Sequence, residues 1–515
     1  SRNTLINLIY HSFYYGNEEE MKLVANIMNW LFDNSEIKGE VRFIYEKPTH
    51  MVIEANVSDN PVHVVIKQPY YPSWECRVNE EPHIVYGIFQ FMTVPIPKKG
   101  LYRIELRYEF KMIHKICSVI SLVTIVLFIT WAVYEEFKRK EKQKGLTKKR
   151  AWKIQKIDVE AKVAPLVYHL ISVISVSAYA LYMAQPYITG TGLPAPVDAP
   201  GHAFKVWHIL DCWRRYGVLP YFWDSWWYVG YPFLQVYPPL SYMMAAFLGG
   251  AFFNGDPILG FRYTIALSNV VAAICTYVGI YMLFRSRMGG VIGEIVYASS
   301  AYRAMAVRTG MFPVYVATMF LPLIIPLYQR CLSSSAPRRY ILLAGVLALL
   351  LLTHIQVFAY ALLTLALYLV LTLHKPHRKG IAGFFSFFLK NIGVFALIIS
   401  IALCFTSFWV IPFLSYRSFF YTAYPEYYLK IQSIPSPHHF FQKTGEAVYI
   451  GLSSLGLIIL AFIVNKRARI DHHMIFFSVL GILSAFLSVY QYEAFKGTVI
   501  EQMPYYHMIT PERWV

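Results

Sequence analysis

The sequence predicts a mainly α-helical, polytopic membrane protein with about ten transmembrane helices and an N-terminal extracytoplasmic β-sandwich. Three observations lead there. The composition is 56% apolar and only 15% charged, with a mean hydropathy of +0.41, against about 45–50% and about 25% in soluble domains. Apolar runs of roughly bilayer length recur from residue 115 onward. Ahead of them, residues 41–110 alternate apolar and polar with period two, the pattern of half-buried strands.

The first element, 1–34, reads as strand, turn and helix, with Leu23, Ile27 and Leu31 on one helical face. It is assigned to the tail of an α/β domain. Residues 35–112 form the sandwich. Its clearest strand is "LYRIELRYEF", which puts Tyr102, Ile104, Leu106, Tyr108 and Phe110 on one face and Arg103, Glu105, Arg107 and Glu109 on the other. "DNP" and "KKG" supply turns. Residues 113–160 hold one span and a basic loop, and 161–515 form the main membrane domain. The expected spans are 115–134, 164–184, 261–284, 288–304, 313–331, 340–353, 355–373, 390–411, 447–464 and 473–490. The chain opens at Ser1 without a Met and stops at "ITPERWV", so it reads as a piece cut at both ends.

The formal net charge is +17. These basic residues cluster in short loops between apolar runs, which marks topology and argues against a nucleic-acid surface. "FKRKEKQKGLTKKRAWK" (137–153) is the most basic loop and is placed in the cytoplasm. The sandwich and the 185–235 loop are then outside. The later basic clusters at 285–287, 335–339, 374–379 and 465–469 also fall inside, provided the apolar run 236–253 does not cross. The six cysteines show no CxxC or metal spacing. Cys76 and Cys212 can both face the exterior, which leaves a bridge between them open.

The exterior loop holds the chemistry-bearing residues. From Pro200 to Tyr216 the spacing is helical, with Phe204, Trp207, Leu210 and Trp213 as an apolar stripe suited to the outer leaflet. Asp198 falls at the helix start. It is either an N-cap, worth about 1 kcal/mol, or a base or metal ligand at the membrane surface. His202 and His208 read as polar-face residues, with no third His or Cys at zinc spacing. Asp224 lies in "YFWDSWWYVGYP", whose aromatics either perturb the carboxylate or anchor the loop. Arg303 reads as an interfacial snorkelling residue.

"PVDAPGHAFKVWHILDCWRRYGVLPYFWDSWWYVGYPFLQVYPPLSY", with Asp198, Gly217, Pro220, Gly230-Tyr231-Pro232 and Pro238-Pro239, resembles the first exterior loop of GT-C glycosyltransferase-like membrane proteins. "YASSAYRAMAVRTGMFPVYVATMFLPLIIPLY" and "LLLTHIQVF" are similar to later motifs of the 6-pyruvoyl-tetrahydropterin synthase-related membrane proteins and of YfhO-type proteins. The 67–110 region resembles their exterior β-domain, and "GNEEEMKLVANIMNWLF" resembles the tail of a glutamine-amidotransferase-like domain. Two departures stand out. Pro313 occupies the neighbourhood where many relatives carry a Glu, and the β-domain precedes the spans where it normally follows them.

The resemblance implies a GT-C-type hexosyltransferase of the plasma membrane. It would take a sugar from a polyprenyl-phosphate carrier to an extracytoplasmic glycan, lipid or protein. Asp198 would be the catalytic base, or the ligand of a divalent ion such as Mg or Mn. Asp224, His202, Lys205, Arg308 and Arg513 would contact substrate. The pterin-synthase label carries no chemistry here, because the zinc-type His cluster is missing. A second reading is a non-catalytic envelope or transport component on the same scaffold.

Overall fold

The computed structural model describes residues 39–416, apart from 48, 59–60, 89–90, 151–158, 195–197, 218–222, 225–230, 299, 301–302, 304–305, 308–309, 334–335 and 373–379. The 1–34 element and the spans expected at 447–464 and 473–490 lie outside the described residues. The chain divides into two compact units. The first draws on 1–117, 220–237 and 411–431, the second on 118–219, 238–410 and 432–515.

The first unit is built on two antiparallel sheets. Strands β1 (Gly39–Lys47), β2 (His50–Val57), β3 (Val62–Pro69), β4 (Trp74–Val78), β5 (Glu81–His83), β6 (Tyr86–Ile88), β7 (Phe91–Ile96) and β8 (Gly100–Tyr108) are arranged as β1-β2-β8-β4-β5 and β3-β7-β6. The period-two reading of β8 holds: Ile104, Leu106 and Tyr108 are buried, and Arg103 and Arg107 are exposed. Both sheets contribute to one core that includes Ile53, Trp74, Met92, Val94, Ile104 and Leu106. Fully burying each such side chain contributes about 1.5–3 kcal/mol.

A piece of the expected exterior loop completes this unit. The two-residue strands β9 (Trp223–Asp224) and β10 (Tyr231–Pro232) pair antiparallel. Trp223 is 1% exposed within the sheet core, and its Nε1–H donates to Gln68 Oε1 at 2.8 Å. Tyr71 donates to Gln235 Oε1 at 3.0 Å, and Gln235 Nε2 donates to the Tyr108 hydroxyl at 2.8 Å. A Trp in the core together with buried, satisfied amide bonds fixes the 223–235 segment to the sheets. The two therefore lie on the same side of the membrane.

The second unit is helical. Its helices, with α1 beginning in the first unit, are α1 (Met112–Arg150), α2 (Val159–Thr189), α3 (Ala199–Tyr216), α4 (Leu240–Phe252), α5 (Pro257–Phe284), α6 (Arg287–Ala298), α7 (Phe312–Ala317), α8 (Ile324–Ser333), α9 (Pro337–Thr353), α10 (Ile355–Thr372) and α11 (Gly380–Tyr416). A 3₁₀ turn, Thr318–Leu323, joins α7 to α8. Five stretches among the described residues are long and apolar enough to cross a bilayer: Met112–Glu135, Leu166–Thr189, Pro257–Phe284, Phe312–Ser333 and Phe388–Tyr416. Apolar side chains such as Leu122, Leu127, Leu166 and Leu170 are exposed on the first two, as expected of lipid-facing surface. The protein is a multi-pass membrane protein, mostly helical, with a β-rich N-terminal region.

The expected spans 288–304, 340–353 and 355–373 are not among these five stretches. The 288–304 run yields only the 12-residue α6, about 18 Å of helix. The 340–353 and 355–373 runs give helices of 17 and 18 residues, separated by extended backbone at His354. The 236–253 run gives the 13-residue α4, about 20 Å and short of a roughly 30 Å hydrocarbon core. Packing explains α4. Gly249 and Gly260 let it lie against α5 with no room for a Cβ, Gly249 meeting the Asp256 carbonyl and Gly260 the Ala245 carbonyl.

Polar bonds tie the helices together. Arg262, 4% exposed, donates to the carbonyls of Tyr187 at 2.7 Å and Ile188 at 3.1 Å. It thus satisfies the C-terminal end of α2 with a cation, as the helix dipole favours. Asn269 Nδ2 donates to the Ala180 carbonyl at 2.7 Å. The bridge left open by sequence does not form: Cys76 and Cys212 are both buried free thiols. Cys76 belongs to the sheet core, and burial pushes its thiol up to about 12.

Candidate functional site

Helix α3 begins where the periodicity placed it, with Asp198 at the N-cap and Pro200 in the first turn. The bland reading of Asp198 fails in one respect. Its backbone is in the right-handed helical region, φ −93° and ψ −16°, and its side chain makes no capping hydrogen bond. A capping residue normally takes extended dihedrals so that its oxygen turns back to the N2 or N3 amide. The Asp198 residue is exposed.

What fixes Asp198 is glycine packing. Gly310 has φ +78°, and a Cβ there would stand 2.6 Å from Ala199 N and 2.8 Å from Asp198 N. Only glycine suits both the left-handed backbone and the close approach. Two sequence motifs 112 residues apart, "VDAPG" and "RTGMFP", therefore meet backbone to backbone. Beside them lies an apolar crevice lined by Pro194, Ala199, Phe261, Ile265, Phe312 and Tyr315, among others.

One turn into α3, His202 is buried, in contrast to the polar-face reading. The buried stripe runs Ala199, His202, Ala203, Val206, Ile209 and Leu210, while Trp207 and Trp213 are exposed. Small residues face the neighbouring helices, and the indoles face outward. The apolar stripe expected from sequence mixed the two faces. His202 Nδ1 lies 2.8 Å from the Tyr242 hydroxyl, within hydrogen-bond reach. Burial, with help from Lys205 and His354, pushes the imidazole down to about 3, so it is neutral at physiological pH. Lys205 donates to the Gly201 carbonyl at 3.2 Å, and its ammonium stands 5.8 Å above the Tyr242 ring. His208 is buried as well, 3.6 Å from the Cys212 sulfur.

The second unit thus brings together Asp198, His202 and Lys205 along the first two turns of α3. Asp224 belongs to the first unit, fully buried in β9 opposite Tyr231. Arg308 and Arg513 lie outside the described residues. No three His, Cys, Asp or Glu side chains converge as metal ligands among the described residues.

Arg303 overturns the snorkelling reading. It is 3% exposed, with its guanidinium 4.4 Å from the Tyr315 ring centre and 5.1 Å from that of Tyr297. It donates to Thr318 Oγ1 and, at 3.1 Å, to Asn269 Oδ1. Tyr315 donates to the same Asn269 oxygen at 3.2 Å. Glu294, fully buried on α6, adds a carboxyl within the electrostatic reach of Arg303. The sequence reading missed Asn269, Glu294 and Tyr315. The one available signal was a lone acid in an apolar run, which in a membrane protein is by itself a reason to look for function.

Among known proteins, no curated relative matches the chain. Residues 234–515 match the family described as 6-pyruvoyl-tetrahydropterin synthase related domain, membrane protein. The match covers more than half of the 515 residues and includes Gly310, the Arg303 cluster and α4 through α11. The chain belongs to the 6-pyruvoyl-tetrahydropterin synthase-related membrane protein family.

Proposed function

We propose that the chain is a GT-C-type glycosyltransferase of the plasma membrane, with about ten spans in the complete fold. It transfers a sugar from a polyprenyl-phosphate carrier to an envelope glycan, lipid or protein on the extracytoplasmic side, where the β-rich unit also lies. The observation that carries this reading is the state of Asp198: an exposed carboxylate on a backbone pinned by Gly310, not used to cap its helix.

In this reading Asp198 accepts the proton of the acceptor hydroxyl. The acceptor oxygen then bonds to the anomeric carbon as the bond from that carbon to the phosphate oxygen breaks, and polyprenyl phosphate departs. A general base placed this way contributes about 10²–10⁴-fold. The amide end of α3 and the Lys205 ammonium favour an anion near the helix start, where the leaving phosphate needs them. Neutral His202 adds no competing cation and holds the helix to Tyr242. Arg308 and Arg513 meet phosphate. The domain boundaries at 34, 112 and 160 belong to the same proposal.

Photo-crosslinking with a diazirine-tagged polyprenyl-phosphate hexose tests this reading. Label should map to residues 194–205 and 310–315 and be competed by untagged carrier. Label confined to other segments removes the donor site from the start of α3.

A further inference from the structure

We propose that Glu294 is a proton-binding site inside the membrane domain, protonated at neutral pH, and that loss of its proton draws Arg303 away from Asn269 and Thr318. The proposal does not depend on sugar transfer. Glu294 is 0% exposed on α6, and neither carboxyl oxygen has a hydrogen-bond partner among the described residues. An ionised carboxylate buried without donors is costly, so such a group stays neutral unless a cation reaches it.

The cation at hand is already engaged. Arg303 is bracketed by Tyr297 and Tyr315 and bonded to Thr318 and Asn269, while its Nε–H finds no acceptor among the described residues. A carboxylate could draw on the Arg303 Nε–H, and on the Nη groups now turned to Thr318 and Asn269. The other titratable side chains on the elements packed at α6 include Arg287 and Tyr297 on α6 itself, Cys275 and Tyr277 on α5, and His169 of α2, which lies 2.7 Å from the Tyr277 hydroxyl. Of the cations, Arg303 is the one whose charge acts on the Glu294 carboxyl. Losing the proton converts a carboxylic acid to a carboxylate and passes H⁺ to water, with no other reactant.

The consequence reaches the α3 start through one residue. Tyr315 shares Asn269 with Arg303 and also lines the crevice beside Ala199 and Gly310. A shift of Arg303 toward Glu294 would unload Asn269 and free Tyr315 to move.

The test uses the full chain in lipid nanodiscs. The infrared spectrum at neutral pH should contain a protonated-carboxyl C=O band that disappears in Glu294→Gln; superimposable spectra would overturn the proposal. Between about pH 4.3 and about pH 7 the wild-type melting temperature should fall relative to that of Glu294→Gln, because the folded state keeps a proton that an unfolded Glu, with pKa of about 4.3, has released. Glu294→Gln should show a shallower fall by one proton's worth, and equal slopes would overturn the proposal. If Glu294→Gln does not fold, the wild-type infrared pH difference decides alone: the C=O band must bleach as pH rises, and a pH-invariant spectrum contradicts it. Replacing choline chloride with sodium chloride should leave the wild-type melting temperature unchanged. A sodium-dependent rise absent from Glu294→Gln would identify a bound cation in place of the proton.

Discussion

Two helices of the membrane unit start with Asp followed within two residues by Pro, and they use the carboxylate differently. At α5, Asp256 has extended dihedrals, φ −74° and ψ 115°. Its Oδ1 accepts from the amides of Ile258 at 2.8 Å and Leu259 at 3.0 Å. At α3, Asp198 sits in the same position with helical dihedrals and no capping bond. The same local sequence therefore gives a capping carboxylate at one helix and a non-capping one at the other. The difference comes from outside each helix: Gly310 packs on the Asp198 backbone and fixes dihedrals that a capping Asp would not choose.

The largest effect that sharpens this contrast is on rate. Asp198→Asn should lower sugar transfer by about 10²–10⁴-fold, measured as turnover per folded molecule, with the melting temperature within error of wild type. Gly310→Ala comes next. It combines a left-handed backbone with a Cβ forced onto Ala199 and Asp198, so stability should drop by about 1–3 kcal/mol in chemical denaturation, and donor crosslinking at the α3 start should weaken. An unchanged Gly310→Ala protein would break the claim that this contact sets Asp198.

Asp256→Ala should cost about 1 kcal/mol of stability with transfer per folded molecule intact. The smallest effect is in pH dependence. His202 is held far below its unfolded value of about 6.5, so its contribution to stability is complete above about pH 6.5 and is lost as pH falls toward 3. Wild-type stability should decline across that window by about 1 kcal/mol per pH unit from this group. His202→Gln should flatten the decline, as read from melting curves between about pH 6 and about pH 4.

Local features were legible from the residues alone. The alternation in "LYRIELRYEF", the start of α3 at Asp198, the break at 354 and the shortness of the 236–253 helix all follow from periodicity, Pro placement and length. Features that depend on residues distant in the chain were not. Nothing in "RTGMFP" says that Gly310 lies on Asp198, and nothing near Trp223 says that its indole fills a sheet core built from residues 51–108. Arg303 looked like an interfacial residue because its burial depends on Asn269, 34 positions away, and on two tyrosines that form a bracket only after folding. The histidines were misplaced for a related reason. Ala199, Ala203 and Val206 form a small-residue face that hydrophobicity ranks below Trp207 and Trp213, yet the close-packed side of a membrane helix favours small residues.

The most direct test of the central claim sets Asp198→Asn beside Asp256→Ala in the same purified preparation, recording both melting temperature and transfer from a polyprenyl-phosphate hexose to envelope extract. The expected result is a crossed pattern: Asp198→Asn melts like wild type and transfers sugar about 10²–10⁴-fold more slowly, while Asp256→Ala melts lower and transfers at the wild-type rate. Unchanged transfer by Asp198→Asn would contradict the catalytic role and leave Asp198 as a residue that only marks the start of its helix.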